Sequence, residues 1–368
     1  MAFIKIMEQF KTFDFENYFK LVTSQDIENS LGKTDLNKYD LLNLLSDNAL
    51  AYIEQMAVKA NMLTRQYFGN IISLYAPLYI SDYCQNHCTY CGFNQHNKFV
   101  RKKLSIIELE NEAELIYKTG IRHILILTGE DHKATPMDYL VKSIKKLSKY
   151  FSSISLEIFP MDINDYKILI QAGADSLTIY QEVYDKTIYK DVHLKGRKKD
   201  YNYRLMTPER GAHSGFRAIN IGTLFGLGNI VSEAFFSGIH AQYLEKNYPD
   251  IEVSLSIPRM TNAMGSISPK NLLKDAKLVQ IMLAWRLFMP RLGISVSTRE
   301  PSWLRDKLIY LGATKFSAGS KTNVGGYSNT GNENTPQFEL SDTRKVEEIA
   351  GMIREKGYQP IFKDWERP

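Results

Sequence analysis

From Pro77 onward, short apolar runs alternate with amphipathic segments, and that alternation sets the expected architecture. Runs at 78–81, 123–127, 154–158, 176–180, 218–224, 252–257, 293–297 and 315–317 read as strands. Between them, 106–118, 137–149, 163–172, 232–246, 269–288 and 302–311 carry apolar residues at helical spacing. Ser105 is placed to cap the first of these helices, and Gly120 follows its end. Strands and helices alternating at this spacing build a parallel sheet through right-handed crossovers. Eight such units fit a closed (β/α)8 barrel, for which roughly 250 residues is typical. An open doubly wound sheet is the alternative.

The first 70 residues follow a helical pattern instead, with Phe15, Tyr18, Phe19, Leu21 and Val22, then Leu41, Leu42, Leu44 and Leu45 as apolar positions. The expected division is an N-terminal helical extension over 1–70, the barrel over 71–320, and a C-terminal loop, helix and tail over 321–368 that close the barrel. Within the last part, 321–337 is rich in Gly, Asn and Thr and reads as a long loop.

Composition narrows the class. The chain has 368 residues, 44% of them hydrophobic, as an ordinary globular enzyme does. No stretch approaches the roughly 20 apolar residues that span a bilayer, and the N-terminus lacks a signal-type core, so a cytoplasmic protein is expected. A net charge of +5 is mild. Its basic clusters, such as 195–199, are short and carry no nucleic-acid module signature; they read as solvated loops.

The three cysteines carry the chemistry. Cys84, Cys88 and Cys91 lie in one loop with C-x3-C-x2-C spacing, just after the first barrel strand. Three thiolates from one loop suit a 4Fe-4S cluster, whose usual complement is four cysteines, and leave one iron open to a small molecule. A Cys3His zinc site with His87 or His96 is the competing metal reading, although zinc ligands more often come as two separated pairs. A disulfide framework is excluded by the odd count and the chain length. Strand ends place further polar residues at the same barrel mouth: Glu130, Glu157, Gln181, Glu182, Arg299, Ser317 and Ser320.

These residues carry a resemblance. The cysteine loop with an aromatic residue before its third cysteine, followed by Gly129-Glu130 after the second strand, resembles the radical S-adenosylmethionine superfamily. Further segments, Tyr180 to Tyr184, His193 to Gly196, Ser297 to Glu300 and Phe362-Lys363-Asp364-Trp365, resemble its 2-iminoacetate synthase (ThiH) family, the tyrosine lyases of thiamine biosynthesis. The likeness spans nearly the whole chain and is weakest over the first 60 residues.

The resemblance implies a 4Fe-4S cluster on Cys84, Cys88 and Cys91, with S-adenosyl-L-methionine on its open iron. It implies cleavage of the Cα–Cβ bond of L-tyrosine to 2-iminoacetate and 4-cresol. It implies thiazole synthase as a partner that consumes the imine, and a flavodoxin- or ferredoxin-type reductant. For the cofactor it points to Tyr90 along the adenine and Glu130 on the methionyl ammonium. Arg204 is the candidate for the methionyl carboxylate, and Glu157 for a ribose or methionyl contact. For the substrate it points to Arg299 as carboxylate clamp, because a guanidinium offers bidentate recognition, and to Tyr79, Gln181, Glu182, Ser317 and Ser320 around it. The related hydrogenase-maturation lyases carry further cysteines, whereas none follows Cys91 here. A tryptophan lyase, or a non-catalytic iron-sulfur carrier or sensor, is the alternative function.

Overall fold

The computed structural model describes residues 2–328, 335–363 and 365; part of the expected 321–337 loop and Asp364 of the terminal motif lie outside the described residues. Strand β1 (Ile71–Ser81) begins well before the expected start at 78. Pro77 reads as a break in the sequence, yet it sits inside this strand for a reason visible in the pairing. The N–H of Ser73 and the carbonyl of Tyr75 bond toward the last barrel strand, so the backbone of Pro77 turns to the same side. Pairing on that side ends at Tyr75↔Ser317, so the missing N–H of Pro77 costs no ladder bond. Its carbonyl accepts from the Tyr327 hydroxyl at 2.8 Å.

Seven more strands follow: β2 (His123–Thr128), β3 (Ser153–Glu157), β4 (Ser176–Glu182), β5 (Ala218–Thr223), β6 (Glu252–Ser256), β7 (Gly293–Val296) and β8 (Lys315–Ser317). Each pairs in parallel with the next, and β8 closes on β1 through Ser73↔Lys315 to Tyr75↔Ser317. The sheet is therefore a closed (β/α)8 barrel, not the open alternative. Helices on the outside and side chains within bury both faces, which explains why the strands read as nearly continuous apolar runs. A ninth strand, β9 (Gln359–Ile361), pairs with the foot of β1 through Ile71↔Gln359.

The helix after β1, Ile106–Lys118, starts at a capping box in which the Ser105 side chain accepts from the Glu108 N–H. Before the barrel, helices at Lys38–Leu45 and Ile53–Phe68 pack on the crossover helix Asp275–Phe288. Leu41, Leu42, Leu44 and Leu45 are fully buried there. Gln280 Nε2 donates to the carbonyls of Leu44 at 2.8 Å and Ser46 at 2.6 Å, closing the C-terminal end of the first of these helices. The expected helix over 269–288 begins only at Asp275; the stretch before it is instead tied to the barrel mouth, with the N–H groups of Lys270 and Asn271 on the Gly226 carbonyl.

Beyond β8 the C-terminal segment is pinned to the barrel by a fully buried ion pair, Arg305 with Asp342. The same guanidinium donates to the Ser317 carbonyl at the end of β8. Arg344 also reaches Asp342 at 2.7 Å, so it is the fully buried Arg305 that would be left without a carboxylate if the pair were broken at Asp342. Asp342→Asn is expected to lower unfolding free energy by about 3 kcal/mol in chemical denaturation, and a loss below about 1 kcal/mol would show that the pair is not structural.

Candidate active site

Two bulges shape the barrel mouth. The register of β1 against β2 shifts between Tyr79 and Ser81, and that of β4 against β5 shifts between Tyr180 and Glu182. Glu182 takes φ of 70°, the one non-glycine residue with positive φ among the described residues. Such backbone is held only where surroundings over-determine it. Here the Glu182 carbonyl accepts from Leu224 N at 2.8 Å and Thr223 Oγ1 at 2.6 Å.

The cysteine loop leaves the end of β1 and is fixed on every side. Gln85 N donates to the Glu130 carbonyl at 2.9 Å, and Thr89 N to the Val192 carbonyl at 3.0 Å. His87–Cys88 pairs antiparallel with His193–Lys195. Arg101 donates to the carbonyls of Asp82, Phe93 and Asn94 within 2.7 Å. Two glycines permit the close approach: a Cβ on Gly129 would lie 2.3 Å from the Tyr83 carbonyl oxygen, and one on Gly92 2.7 Å from that of Gln337.

All three cysteines, uncombined, line one open cavity. Around it stand Tyr79, Tyr90, Glu130, Glu157, Glu182, Arg204 and Arg299. A second, adjoining cavity reaches toward β8 and adds Ser317 and Ser320. Ser317 Oγ accepts from Thr298 N at 3.0 Å, while the buried Ser320 Oγ has no partner among the described residues. Gln181 lines neither cavity. Tyr180 and Glu182 on either side of it face inward, so strand alternation turns Gln181 away, and it leaves the substrate set.

The charges sort into two groups. Lys198 Nζ lies 2.7 Å from Glu182 Oε1, and Arg204 reaches the same oxygen at 3.5 Å. Arg204 Nε also donates to the Tyr180 carbonyl at 2.6 Å. Burial pushes the Glu182 carboxyl up, but Lys198 and Arg204 outweigh it and hold it below its ordinary value. Tyr90, whose hydroxyl is 2.7 Å from His193 Nε2, stands beside this group with Lys198 Nζ 5.6 Å from its ring centre. Glu130 Oε2 accepts from Asn86 Nδ2 at 2.6 Å.

Arg299 stands apart. Among the described residues it has no carboxylate partner. Its guanidinium stacks 3.3 Å above the Phe338 ring and donates to Thr261 Oγ1 at 3.1 Å. Glu300 is instead taken by Arg259. Tyr79 donates to Gln337 Oε1 at 2.7 Å, and Gln337 Nε2 approaches Cys91 Sγ at 3.8 Å.

Glu157, between the two groups, is pushed up to about 7, by burial first and then by Glu182, against the pull of Arg299, Lys198 and Arg204. A carboxyl raised above its ordinary 4.5 holds a proton in the folded chain that the unfolded chain releases. The contribution of Glu157 to the stability of the metal-free protein therefore falls as pH rises from about 4.5 through about 7. Glu157→Gln is expected to flatten that decline, which denaturation midpoints across this window would register; an unchanged slope would assign the decline to other groups.

Lys198, Asn86, Gln337 and Phe338 were not singled out by sequence. Lys198 has its only signal in the basic run 195–199, the others none beyond their place in loops.

The donor set fits an iron-sulfur cluster. Among the described residues no three His, Cys, Asp or Glu side chains gather closely enough for a single ion. His87 and His96 lie against one another, ring centres 4.0 Å apart and planes tilted by 41°, and neither lines the cavity, so the zinc alternative gains no fourth ligand there. Burial raises the Cys88 and Cys91 thiols, so thiolates at these positions need a positive partner such as iron.

Comparison with known proteins agrees with this geometry. The radical SAM superfamily model matches residues 78–233, and that of the Biotin and Thiamin Synthesis associated domain matches 256–359. Over 345 residues, 94% of this chain and 91% of each relative, the chain is 38% identical to 2-iminoacetate synthase of Salmonella typhimurium and 39% identical to that of Escherichia coli K12. The solved structure of HydG, a maturase of the FeFe-hydrogenase, superposes with a TM-score of 0.87 at 30% identity, covering 96% of this chain and 80% of that one. Among the described residues no helix is long and apolar enough to cross a membrane. Membership of the radical SAM superfamily implies S-adenosylmethionine and a 4Fe-4S cluster, and with that degree of likeness over nearly its full length the chain belongs to the 2-iminoacetate synthase family.

Proposed function

We propose that this chain cleaves L-tyrosine at its Cα–Cβ bond, giving 2-iminoacetate and 4-cresol, while S-adenosylmethionine is reduced to methionine and 5'-deoxyadenosine. The observation that carries the reading is the pairing, in one cavity, of three free cysteines on one wall with a carboxylate-free arginine, Arg299, on another. An electron carrier needs no such clamp. Cys84, Cys88 and Cys91 would hold the cluster, which would supply one-electron reduction of S-adenosylmethionine and so the hydrogen abstraction from tyrosine.

The chain's own residues bind and orient. Tyr90 lies along the adenine, and Glu130, held by Asn86, accepts from the methionyl ammonium. Arg204 serves the cofactor's carboxylate end. Glu182 joins this cofactor group, because its partners Lys198 and Arg204 belong there, and Glu157 contacts the ribose or methionyl part. Arg299 clamps the tyrosine carboxylate, with Tyr79, Ser317 and Ser320 along the adjoining cavity. The imine product hydrolyses readily, which favours direct handover to thiazole synthase in the cytoplasm, with a flavodoxin- or ferredoxin-type protein as reductant. The test incubates anaerobically reconstituted protein with S-adenosylmethionine, dithionite and tyrosine. Formation of 4-cresol with 5'-deoxyadenosine is expected; absence of both overturns the reading.

A further inference from the structure

The outer side of the cysteine loop has a composition that the cavity chemistry does not use. Residues 85–103 and 193–199 contain no Asp or Glu. The two segments are joined in space by the antiparallel pairing His87↔Lys195 and Cys88↔His193. Gln95 N donates to the Asn86 carbonyl at 3.0 Å, which brings the stretch leading to Lys98 back to the same pairing, and the His96 ring lies against His87 with planes tilted by 41°. Lys98, Lys195, Arg197 and Lys199 are exposed. Arg197 lies 3.1 Å from His132 Nε2, and it and Lys199 border a hollow that Glu130 and Asp200 also line; even with those two acids at its edge, four exposed cations in two short segments stand out in a chain whose net charge is only +5. Exposed apolar side chains, Leu194 at 46% and Val100 at 85%, lie in the same two segments. Beneath the face, Cys88 is one strand away, an interval of about 5 Å.

We propose that this face, over 87–98 and 193–199, is the docking surface for an acidic one-electron carrier protein, and that electrons enter the site through the backbone pairing of Cys88 with His193. The inference rests on the iron-sulfur reading of the cysteines. In the step, one electron leaves the reduced carrier and reduces the cysteine-bound cluster; no atom moves and no bond forms or breaks. Exposed cations steer an acidic partner toward the face, and such steering weakens as salt rises. Entry at this face also leaves the cavity on the other side of the loop free for cofactor and substrate.

The test uses the full reconstituted protein with Lys98, Lys195 and Lys199 replaced by Glu together, and a second variant with all three replaced by Arg. Stopped-flow bleaching of the cluster absorbance is followed with reduced flavodoxin and, separately, with dithionite. Expected is a fall of at least about tenfold in the flavodoxin rate at low salt for the Glu variant, with iron content and the dithionite rate within about twofold of the unchanged protein. The Arg variant should keep the flavodoxin rate, and added salt should slow the unchanged protein toward the Glu variant. Equal flavodoxin rates in all three proteins would overturn the proposal, as would an equal loss with both donors. Tighter binding of the unchanged protein to a short single-stranded DNA than to flavodoxin would assign the face to nucleic acid instead. Dithionite-driven formation of 4-cresol, measured on the same samples, reports on the lyase reading independently of any of these outcomes.

Discussion

Arg299→Lys is expected to raise the KM for tyrosine by roughly ten- to a hundredfold, with iron content and S-adenosylmethionine affinity unchanged. The estimate follows from replacing a bidentate, charge-assisted contact by a single point charge, a loss of about 1.5–3 kcal/mol at about 1.4 kcal/mol per factor of ten. The geometry makes arginine specific here. Its planar face lies 3.3 Å over Phe338 and one terminal nitrogen is spent on Thr261, which fixes the plane of the fork toward the cavity. Lysine has neither a stacking face nor a second donor at fixed spacing. Burial also lowers the affinity of Arg299 for its proton, so an arriving carboxylate is matched by a guanidinium that has few other partners. Steady-state kinetics with tyrosine varied, together with iron analysis, decide the matter. Loss of iron in this variant would make Arg299 structural, and an unchanged KM would place the substrate carboxylate elsewhere.

The fold was legible because each barrel strand buries both faces and each helix one, so the two periods alternate cleanly along the chain. Pro77 hid the first half of β1, since sequence alone does not show that its neighbouring strand has already ended at Ser317. The cysteine loop was legible because three ligands of one type lie within eight residues. Gln337 was not: it meets Tyr79 across 258 positions of chain, and nothing in a Gly- and Asn-rich loop marks which of its residues returns to the mouth. Gln181 and Glu182, adjacent in sequence, were read together as mouth residues, but a strand sends neighbours to opposite faces. Lys198 was concealed by company. It sits in a run of four cations within five residues, which reads as solvent-exposed, and its side chain alone turns inward, to 15% exposure, while Lys195, Arg197 and Lys199 stay outside.

That inward turn leads to the other large expected effect. Lys198→Met should weaken S-adenosylmethionine binding by more than about tenfold and destabilise the protein by about 3 kcal/mol, since breaking a buried pair typically costs 3–5 kcal/mol and Arg204 remains beside Glu182. The Lys198 side chain holds the carboxylate of Glu182 at 2.7 Å and fills the space over the Tyr90 ring, while its backbone N–H, which the substitution keeps, holds the Asn86 side chain at 3.1 Å. Without the ammonium, Glu182 keeps only the longer Arg204 contact, and its carboxyl should rise from below its ordinary value toward that of Glu157. Two acids sharing a buried site then compete for one proton near neutral pH. The distinguishing readout is therefore the pH dependence of S-adenosylmethionine affinity, measured by equilibrium dialysis: the variant should show a second titration beside that of Glu157, which is the one carboxyl pushed up to about 7 in this cavity of the unchanged protein. Lys198→Arg, which keeps the charge, should restore most of the affinity and remove the added titration. A uniform loss of affinity at every pH, not restored by arginine, would show that Lys198 acts through packing alone.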